Sequence, residues 1–360
     1  MKKIVFTVTS DLSFDQRMDR ICQALADNGF DVLLIGRRKK ASLPLRSKAY
    51  KQERIHCFFE KGKLFYLEYN LRLFFKLLFT SFDILCAIDL DTIIPAYVSA
   101  RLKKKPLVYD AHEYFPEMIE VVNRPVVKKI WETVERLFVP RVSYAYTVNE
   151  SIGKILEEKY KVPFEVIRNV PVHEEFEVPE KKEKYIVYAG VVNVGRGLEE
   201  LICAMKQLDC KLIICGHGDI YDELIELVNE QQLQSKVKFY GYVQPDELKQ
   251  VIRKAFLGYL VLKEAGLSYY YSLANKFFDY MHAGIPQITV DFPEYRQINE
   301  QYHIAKLVRL DLKEIIDAIN SFLENEELHK QYSANAIKAS KELNWQLESQ
   351  KLVAFYKNII

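Results

Sequence analysis

Apolar runs of strand length alternate along this chain with longer amphipathic stretches whose apolar positions recur at helical spacing. Strands separated by helices are typical of parallel βαβ units, so the chain is predicted to be an α/β protein. In the first half, strands are predicted at 3–8, 31–35, 84–87, 106–109, 145–148 and 164–167. In the second half, they are predicted at 185–189, 211–215, 237–240, 257–260, 287–290 and 305–308.

The strand series starts again near Tyr185, after a polar segment that is bracketed by prolines. A chain of 360 residues also exceeds the roughly 250 to 300 residues at which a single core stops growing. We therefore predict two Rossmann-like parallel-sheet domains that face each other across a cleft, where open α/β sheets bind ligands. The predicted bounds are an N-terminal domain at 1–170, a linker at 171–184, a C-terminal domain at 185–344 and a last helix at 345–360. We expect that helix to pack back on the first domain; the alternative is that it stays with the second.

Composition excludes several classes of protein. With 49% hydrophobic and 28% charged residues, the chain is ordinary globular material and not a disordered one. Its 6 cysteines form no Cys-x-x-Cys pair, so neither a disulfide framework nor a zinc ribbon is expected. The apolar run after Lys3 meets Asp11 before it reaches signal-peptide length, and no run of about 18 uncharged apolar residues predicts a membrane span. We expect a cytoplasmic protein.

The positive charge of the chain is concentrated in one segment. Residues 36–63 carry ten lysines and arginines against two glutamates, and an aromatic stretch follows at 65–79. This pattern predicts peripheral docking on an anionic membrane surface. The alternative is a solvated loop and hairpin beside a helix that faces the core. Nucleic acid is not an expected partner, because the second half of the chain is acidic.

The strongest candidate for chemistry is the helix predicted to end at Gly284. Its free N-terminal amides, near Leu273, Ala274 and Asn275, form an anion site. Lys276 adds a positive charge, and Asp279 follows one turn later on the same face, where its carboxylate is able to accept hydrogen bonds from a ribose diol. A phosphate site beside a ribose site indicates a nucleotide. The alternative is a surface ion pair on an amphipathic helix.

Glycine turns follow successive strands of the second half. Residues after the strand at 185–189 include Gly190, Asn193 and Arg196, whose guanidinium is suited to a diphosphate. Gly216 and a turn that reaches Val243 follow the next two strands. Any α/β domain needs such turns, but their repetition at one edge of a sheet favours nucleotide binding.

In the first half, a polar run directly after the strand at 106–109 places His112 and Glu113 at the predicted cleft. The first loop lacks Gly-x-Gly-x-x-Gly, which argues against a nicotinamide or flavin cofactor. Asp15 and Arg17 in that loop are candidates for contact with an acceptor or a phosphate, with N-capping by Ser13 or Asp15 as the alternative.

A pair of aspartates, Asp89 and Asp91, has the spacing of metal ligands. No further ligand cluster accompanies the pair in the sequence, so we predict capping of the helix at Asp91 and Thr92 instead of a metal site.

Taken together and in order, these segments resemble the retaining nucleotide-sugar glycosyltransferases of family 4, which have the two-Rossmann-domain GT-B fold. The segments that carry the resemblance are 109–116, 148–151, 167–171, 195–199, 239–243 and 275–286. The resemblance implies a donor bound by the second domain, an acceptor bound by the first, and no metal or other cofactor. It assigns diphosphate binding to Arg196, ribose binding to Asp279 and a position near the sugar to His112.

Two positions depart from the family pattern. Tyr271 stands where the family has a glutamate that contacts the sugar, and Val191 stands where an arginine often follows the first glycine. The second departure leaves Arg196 and Lys276 as the cations available to a diphosphate.

The expected reaction is transfer of a sugar, with retention, from a nucleotide-diphosphate sugar to a glycan or lipid-linked acceptor, in surface polysaccharide or glycoconjugate synthesis. His112, Arg196 and Lys276 are the predicted catalytic residues. A nucleotide-sugar epimerase and a non-catalytic nucleotide-sugar-binding module are the alternatives.

Overall fold

The computed structural model describes residues 1–13, 15–177 and 182–359. Residues 178–181 of the predicted linker lie outside the described residues. The chain divides into two compact units. The first contains Met1–Asn169, Gly266–Ser268 and the last helix from Glu348, and the second contains Val170–Ala265 and Tyr269–Leu347.

The first unit is built on a 7-stranded parallel sheet with the order β3-β2-β1-β4-β5-β6-β7. Its strands are β1 (Lys3–Asp11), β2 (Asp31–Arg38), β3 (Lys51–His56), β4 (Ile84–Ile88), β5 (Leu107–Ala111), β6 (Tyr144–Thr147) and β7 (Phe164–Val166). Its helices are α1 (Gln16–Asp27), α2 (Gly62–Phe79), α3 (Ile93–Lys103), α4 (Ile119–Val122), α5 (Pro125–Phe138) and α6 (Glu150–Tyr160). All residues of β4 and β5 are buried, as expected for central strands covered on both faces.

β3 is missing from the sequence-based prediction, whose alternative for the basic segment is a solvated loop and hairpin. β3 pairs with β2 in parallel, with Leu33 opposite Lys51, so the hairpin is wrong. The strand KQERIH has almost no apolar residues because it lies at the sheet edge, and only Ile55 is buried. An edge strand of this kind leaves no apolar pattern to detect.

The second unit is built on a 6-stranded parallel sheet with the order β10-β9-β8-β11-β12-β13. Its strands are β8 (Glu183–Ala189), β9 (Lys211–Cys215), β10 (Val237–Gly241), β11 (Ala255–Leu260), β12 (Gln287–Val290) and β13 (Ala305–Val308). The helices that follow are α7 (Leu198–Ala204), α8 (Tyr221–Glu230), α9 (Pro245–Lys254), α10 (Leu267–Tyr270), α11 (Asn275–His282), α12 (Pro293–Tyr302), α13 (Leu312–Leu323), α14 (Glu326–Glu342) and α15 (Trp345–Asn358). Two parallel α/β sheets are what the alternating pattern predicts.

From Glu348 onward, α15 lies in the first unit. The ring of Tyr356 packs edge-on against Phe6 of β1 at 5.8 Å and against Tyr146 of β6 at 6.3 Å. The Glu348 carboxylate is buried and accepts a 3.0 Å hydrogen bond from the Arg168 amide. The end of the chain therefore completes the core of the first unit.

None of the helices in the described residues has the length and apolar character needed to span a bilayer.

Candidate active site

Three glycine turns stand side by side at the carboxyl edge of the second sheet, the edge at which its strands end. The Gly190 amide donates to Cys215 O at 2.8 Å, and the Gly216 amide donates to Gly241 O at 2.7 Å. A Cβ on Gly216 would lie 1.8 Å from Gly190 O, and both glycines have strongly positive φ, 143° and 140°. Only glycine permits this approach, so the turns after β8, β9 and β10 form one continuous rim.

Asn193 and Val243 lie on this rim, in the loops after β8 and β10. Asn193 Oδ1 accepts a 3.0 Å hydrogen bond from the Asp219 amide, which ties the loop after β8 to the loop after β9. Val243 precedes α9 and is partly exposed. The contact of Asn193 within the protein gives its side chain a loop-positioning role at the predicted donor site.

Arg196 lies at the rim, in a turn whose conformation is set by the glycines on either side of it. Gly195 and Gly197 have φ of 82° and 63°. The Lys263 amide donates to Gly195 O at 2.9 Å, and the Tyr259 hydroxyl donates to Gly197 O at 2.9 Å, which fixes the turn on the end of β11. The backbone of the Gly-Arg-Gly sequence is therefore fixed in position, and with it the start of the Arg196 side chain.

The Arg196 guanidinium lies over the Tyr269 ring, 5.1 Å from Cζ to the ring centre, and its Nη2 donates to the Tyr269 hydroxyl at 3.2 Å. Its Nε is buried and has no hydrogen-bond partner within the described residues. A buried guanidinium donor without an acceptor is unusual, because desolvating such a group is unfavourable. This donor is available to a bound anion.

Lys276 comes to the same place from the first turn of α11. Its Nζ donates to the Tyr188 hydroxyl at 3.2 Å and lies over the Tyr188 ring. A Cβ on Gly190 would lie 2.7 Å from Nζ, so the ammonium sits directly against the first glycine turn. Burial and, second, the charge of Arg196 lower the Lys276 pKa to about 7, while Asp279 acts in the opposite direction.

The start of α11 supplies fewer free amides than the sequence suggests. The helix begins at Asn275, after Leu273 and Ala274. The Ala274 amide donates to the Tyr295 hydroxyl at 3.0 Å, which corrects the prediction that this amide is free for an anion. Asp279 lies one turn after Lys276 and is partly exposed, as the spacing predicts.

Gly284 ends α11 as expected. It has φ of 62°, its amide donates to Met281 O, and the Ile285 amide donates to Tyr280 O. These two bonds form a Schellman motif. The motif directs the chain into β12 and fixes the far end of the helix that carries Lys276.

Sequence reasoning missed three tyrosines that support the two cations. Tyr188 and Tyr269 carry the ring faces and hydroxyls beside Lys276 and Arg196, and Tyr295 takes up the Ala274 amide. Tyr188 is buried in β8, where its position looks like ordinary core. Tyr269 stands in a run of three tyrosines, which was the available signal.

In the first unit, His112 lies immediately after β5, at the carboxyl edge of its sheet. Its side chain is only partly exposed, and desolvation together with the positive field of Arg17 lowers its pKa to about 3. The imidazole is therefore neutral at physiological pH, with one nitrogen that donates and one that accepts.

Asp89 fixes the backbone that carries His112. Its Oδ1 accepts from the amides of His112 and Glu113, at 2.9 and 3.3 Å. Asp89 itself has φ of 54°, a left-handed conformation that aspartate adopts far less readily than glycine. Desolvation raises the Asp89 pKa, and the neighbouring carboxylates of Asp91 and Glu113 act in the same direction.

The helix start predicted at Asp91 and Thr92 is correct in position, but the side-chain capping predicted there is not. Thr92 stands at the N-cap of α3 but makes no capping bond with its side chain. Its hydroxyl donates to the backbone of β1 and β4, and Asp91 accepts from the Thr9 hydroxyl. Both side chains bond to strands at this edge instead of capping the helix.

The two acceptor candidates of the first loop have structural roles. The Asp15 carboxylate caps α1 by accepting from the Met18 amide at 3.0 Å, the alternative left open by the sequence. Arg17 is buried, and its two terminal nitrogens donate to both oxygens of Asp110, at 2.6 and 2.8 Å. This closed pair does not support contact between Arg17 and an acceptor, because α1 turns that side chain inward.

Comparison with known proteins decides the family. A model described as Glycosyl transferases group 1 matches residues 171–339, and one described as Glycosyltransferase Family 4 matches residues 16–171. The chain belongs to the glycosyltransferases. The resemblance drawn from the sequence motifs is confirmed, and the two matches meet at the border between the units of this glycosyltransferase.

This glycosyltransferase is similar to a further protein in sequence and to solved structures in fold. A segment of 77 residues is 36% identical to an uncharacterised glycosyltransferase of Methanocaldococcus jannaschii, and the chain spans only 20% of that relative. Sucrose-phosphate synthase from Thermosynechococcus elongatus superposes with a TM-score of 0.80 at 15% identity, over 100% of this chain and 99% of that one. Anabaena HepE in complex with UDP-glucose gives 0.76 at 14% identity, over 99% and 100% of the two chains. The predicted GT-B fold class is confirmed.

Proposed function

We propose that this glycosyltransferase moves a sugar from a nucleotide-diphosphate sugar to a glycan or lipid-linked acceptor, with retention and without a metal ion. The observation that carries the proposal is the position of Arg196 and Lys276 at the rim of the second sheet, where the charge of Arg196 helps to lower the pKa of Lys276. A bound anion would offset the repulsion between these two cations and favour the protonated form of Lys276.

The donor fits the groups around these cations. The diphosphate would lie against Arg196, Lys276 and the first amides of α11, and the Asp279 carboxylate would accept hydrogen bonds from the ribose diol. Gly190 allows the Lys276 ammonium to lie against the first glycine turn, and Gly216 allows the first two turns to pack together at this rim. The Anabaena relative with the same fold was crystallised with UDP-glucose, which supports a nucleotide sugar as the ligand class.

Charge stabilisation is the catalytic contribution that we assign to the second unit. As the bond to the sugar breaks, negative charge develops on the departing phosphate, and preorganised cations stabilise it. We propose that the same phosphate takes the proton of an acceptor that attacks from the same face of the sugar, which retains the anomeric configuration.

We assign the acceptor side to the first unit, with Glu113 beside His112. A neutral imidazole is suited to hold a sugar hydroxyl as donor and acceptor at once. We further propose that the protein works in the cytoplasm at the inner face of the membrane, in surface polysaccharide or glycoconjugate synthesis. The exposed apolar and basic surface of the first unit supports this location.

Release of nucleotide diphosphate from a panel of nucleotide sugars, with and without acceptors, tests the proposal. Arg196→Ala and Lys276→Ala should each lower transfer by about 10²-fold, the effect of removing one charge stabiliser. Lys338→Ala, an exposed lysine of the second unit, is the matched control. His112→Ala should lower turnover more than nucleotide binding, measured by calorimetry.

Several outcomes would contradict the proposal. Altered free sugar formed without an acceptor would indicate an epimerase, and binding without turnover would indicate a non-catalytic module. Loss of transfer in a chelator, restored by a divalent ion, would refute metal independence. Inverted configuration at the anomeric carbon, detected by NMR of the product, would refute retention.

A further inference from the structure

Helices α2, α3 and α5 of the first unit expose an unusual amount of apolar surface. Of the 25 large apolar side chains exposed among the described residues, 11 lie on these three helices. They recur at intervals of three, four or seven residues, so each helix presents one apolar stripe. The stripes are Leu64, Leu67, Leu71, Phe75 and Phe79 on α2, Ile94, Val98 and Leu102 on α3, and Val126, Ile130 and Leu137 on α5.

α2 shows that these stripes are separate from the core. A first apolar row, Phe65, Tyr69, Leu73 and Leu77, is fully or almost fully buried against the sheet. A second row faces solvent, where Leu67 is 68% exposed and Phe79 is 89% exposed. The sequence offered a core-facing helix and a docking helix as alternatives, and α2 has an apolar face for each.

The three helices form one surface. The rings of Tyr66 on α2 and Trp131 on α5 lie 5.5 Å apart, and those of Tyr97 on α3 and Phe138 on α5 lie 5.3 Å apart. In the sheet order, α2 leads from β3 to β4, α3 leads from β4 to β5, and α5 leads from β5 to β6, so all three connections run toward β7. Because connections between parallel strands are right-handed, the three helices lie on the same face of the sheet. We call their outer surface the three-helix face.

The three-helix face is also basic. Its helices contain eight lysines and arginines against three glutamates, and Glu135 among these is buried and bound to Lys159 and Tyr160. An open depression at the end of α3 adds further cations. Side chains that form no ion pair with a described residue are Lys63, Arg101, Lys104, Lys129 and Arg136.

Some cations of the basic segment at 36–63 are paired within the fold. Lys48 pairs with Asp19 and Lys51 with Asp31. The Arg54 side chain is 10% exposed, and its guanidinium is bonded to Asp11 and Ser13. These pairs occupy three of the ten cations in the segment, so they reduce the membrane attraction predicted from the charge count only in part.

We propose that the three-helix face docks on a bilayer that contains anionic phospholipid. Apolar stripes interspersed with unpaired cations match an interface of acyl chains below negatively charged headgroups. Long basic side chains are able to reach the headgroups while their stems stay in apolar surroundings. A protein partner with this complementarity would have to present an acidic rim around an apolar centre of the same extent.

Co-sedimentation of the full chain with vesicles tests the proposal. We expect binding to vesicles of phosphatidylcholine mixed with phosphatidylglycerol, little binding to phosphatidylcholine alone, and a decrease as salt rises. A charge variant, Lys63→Glu with Lys129→Glu, and an apolar variant, Leu71→Ser with Ile130→Ser, should each reduce binding by about tenfold or more. All four side chains are exposed, so folding is preserved.

Matched controls come from the second unit. Lys338→Glu and Leu312→Ser change an exposed lysine and an exposed leucine there and should leave vesicle binding unchanged. Calorimetry with a nucleotide diphosphate, which does not depend on docking, shows whether each variant keeps its fold and separates this proposal from the proposed function. Binding that is indifferent to lipid charge, or equal in both variants and controls, would overturn docking. Self-association in ultracentrifugation that the same variants abolish would assign the face to a second copy instead.

Discussion

Binding of a nucleotide diphosphate should draw a proton from solution, because Lys276 is held with a low pKa in the free protein. Burial and the charge of Arg196 lower that pKa from 10.5 to about 7. A diphosphate beside the ammonium compensates both effects, because an opposite charge favours the protonated form. The pKa should therefore return toward its ordinary value in the complex.

The expected size of the uptake follows from these values. Near pH 8, about one tenth of the free protein carries a proton on Lys276, so binding takes up about 0.9 proton. Near pH 6 the group is already charged, and the uptake falls to about 0.1 proton. Affinity should decrease by up to about tenfold per pH unit above 7, since each unit adds about 1.4 kcal/mol to the free energy of protonation.

Calorimetry in two buffers of different ionisation enthalpy measures this uptake directly. The range from about pH 7.5 to 8.5 avoids the titration of the terminal phosphate itself, which has a pKa near 6. Lys276→Arg is the matched control, since arginine keeps a charge that does not titrate in this range. No uptake by the natural protein, or equal uptake in the arginine variant, would refute the assignment of Lys276 as the titrating phosphate ligand.

Three further predictions test other parts of the molecule. Gly190→Ala should weaken nucleotide diphosphate binding by about tenfold or more, because the new Cβ displaces the movable Lys276 ammonium. Gly216→Ala should lower the melting temperature further than Gly190→Ala does, because both glycines have positive φ but only the Cβ at 216 also meets backbone. Calorimetry and thermal unfolding distinguish the two, and equal effects would contradict this division. Arg17→Met should cost about 3 to 5 kcal/mol in the free energy of unfolding, since it leaves the Asp110 carboxylate buried without its partner, whereas Arg17→Met with Asp110→Leu should cost less. Denaturant titration checks this, and a double variant less stable than the single one would argue against it. The ring-nitrogen NMR shifts of His112 should stay constant from about pH 5 to 8, because its pKa is far below that range; a titration near 6.5 would show that Arg17 and burial do not control this group.

Motif spacing located much of the candidate site, but it did not describe the state of the groups in it. Lys276 and Arg196 were chosen because cations near glycine turns suit a diphosphate, and the structure brings both to one rim. Their mutual effect on pKa, and the tyrosines that hold them, arise from strands and helices far apart in sequence. No local pattern contains that information.

The two residues whose roles the sequence predicted wrongly, Arg17 and Asp91, were misjudged for the same reason. Arg17 and Asp91 are polar residues in or near loops, where sequence patterns predict exposure. The fold buries both, because Asp110 on β5 and Thr9 on β1 offer them partners inside the unit. A polar side chain is stable in the interior only when it has a hydrogen-bond or ion-pair partner there, and that partner comes from a part of the chain that is distant in sequence.

The sequence by itself determined the alternation of strands and helices, two parallel sheets, the glycine turns and the family, since these depend on local periodicity and short motifs. Tertiary structure alone decided that β3 is a parallel edge strand and that α2 has a second apolar face in solvent, and it chose between the two placements that the sequence left open for α15. Each of these depends on which surfaces meet, and apolar residues have the same pattern whether they face a core or solvent.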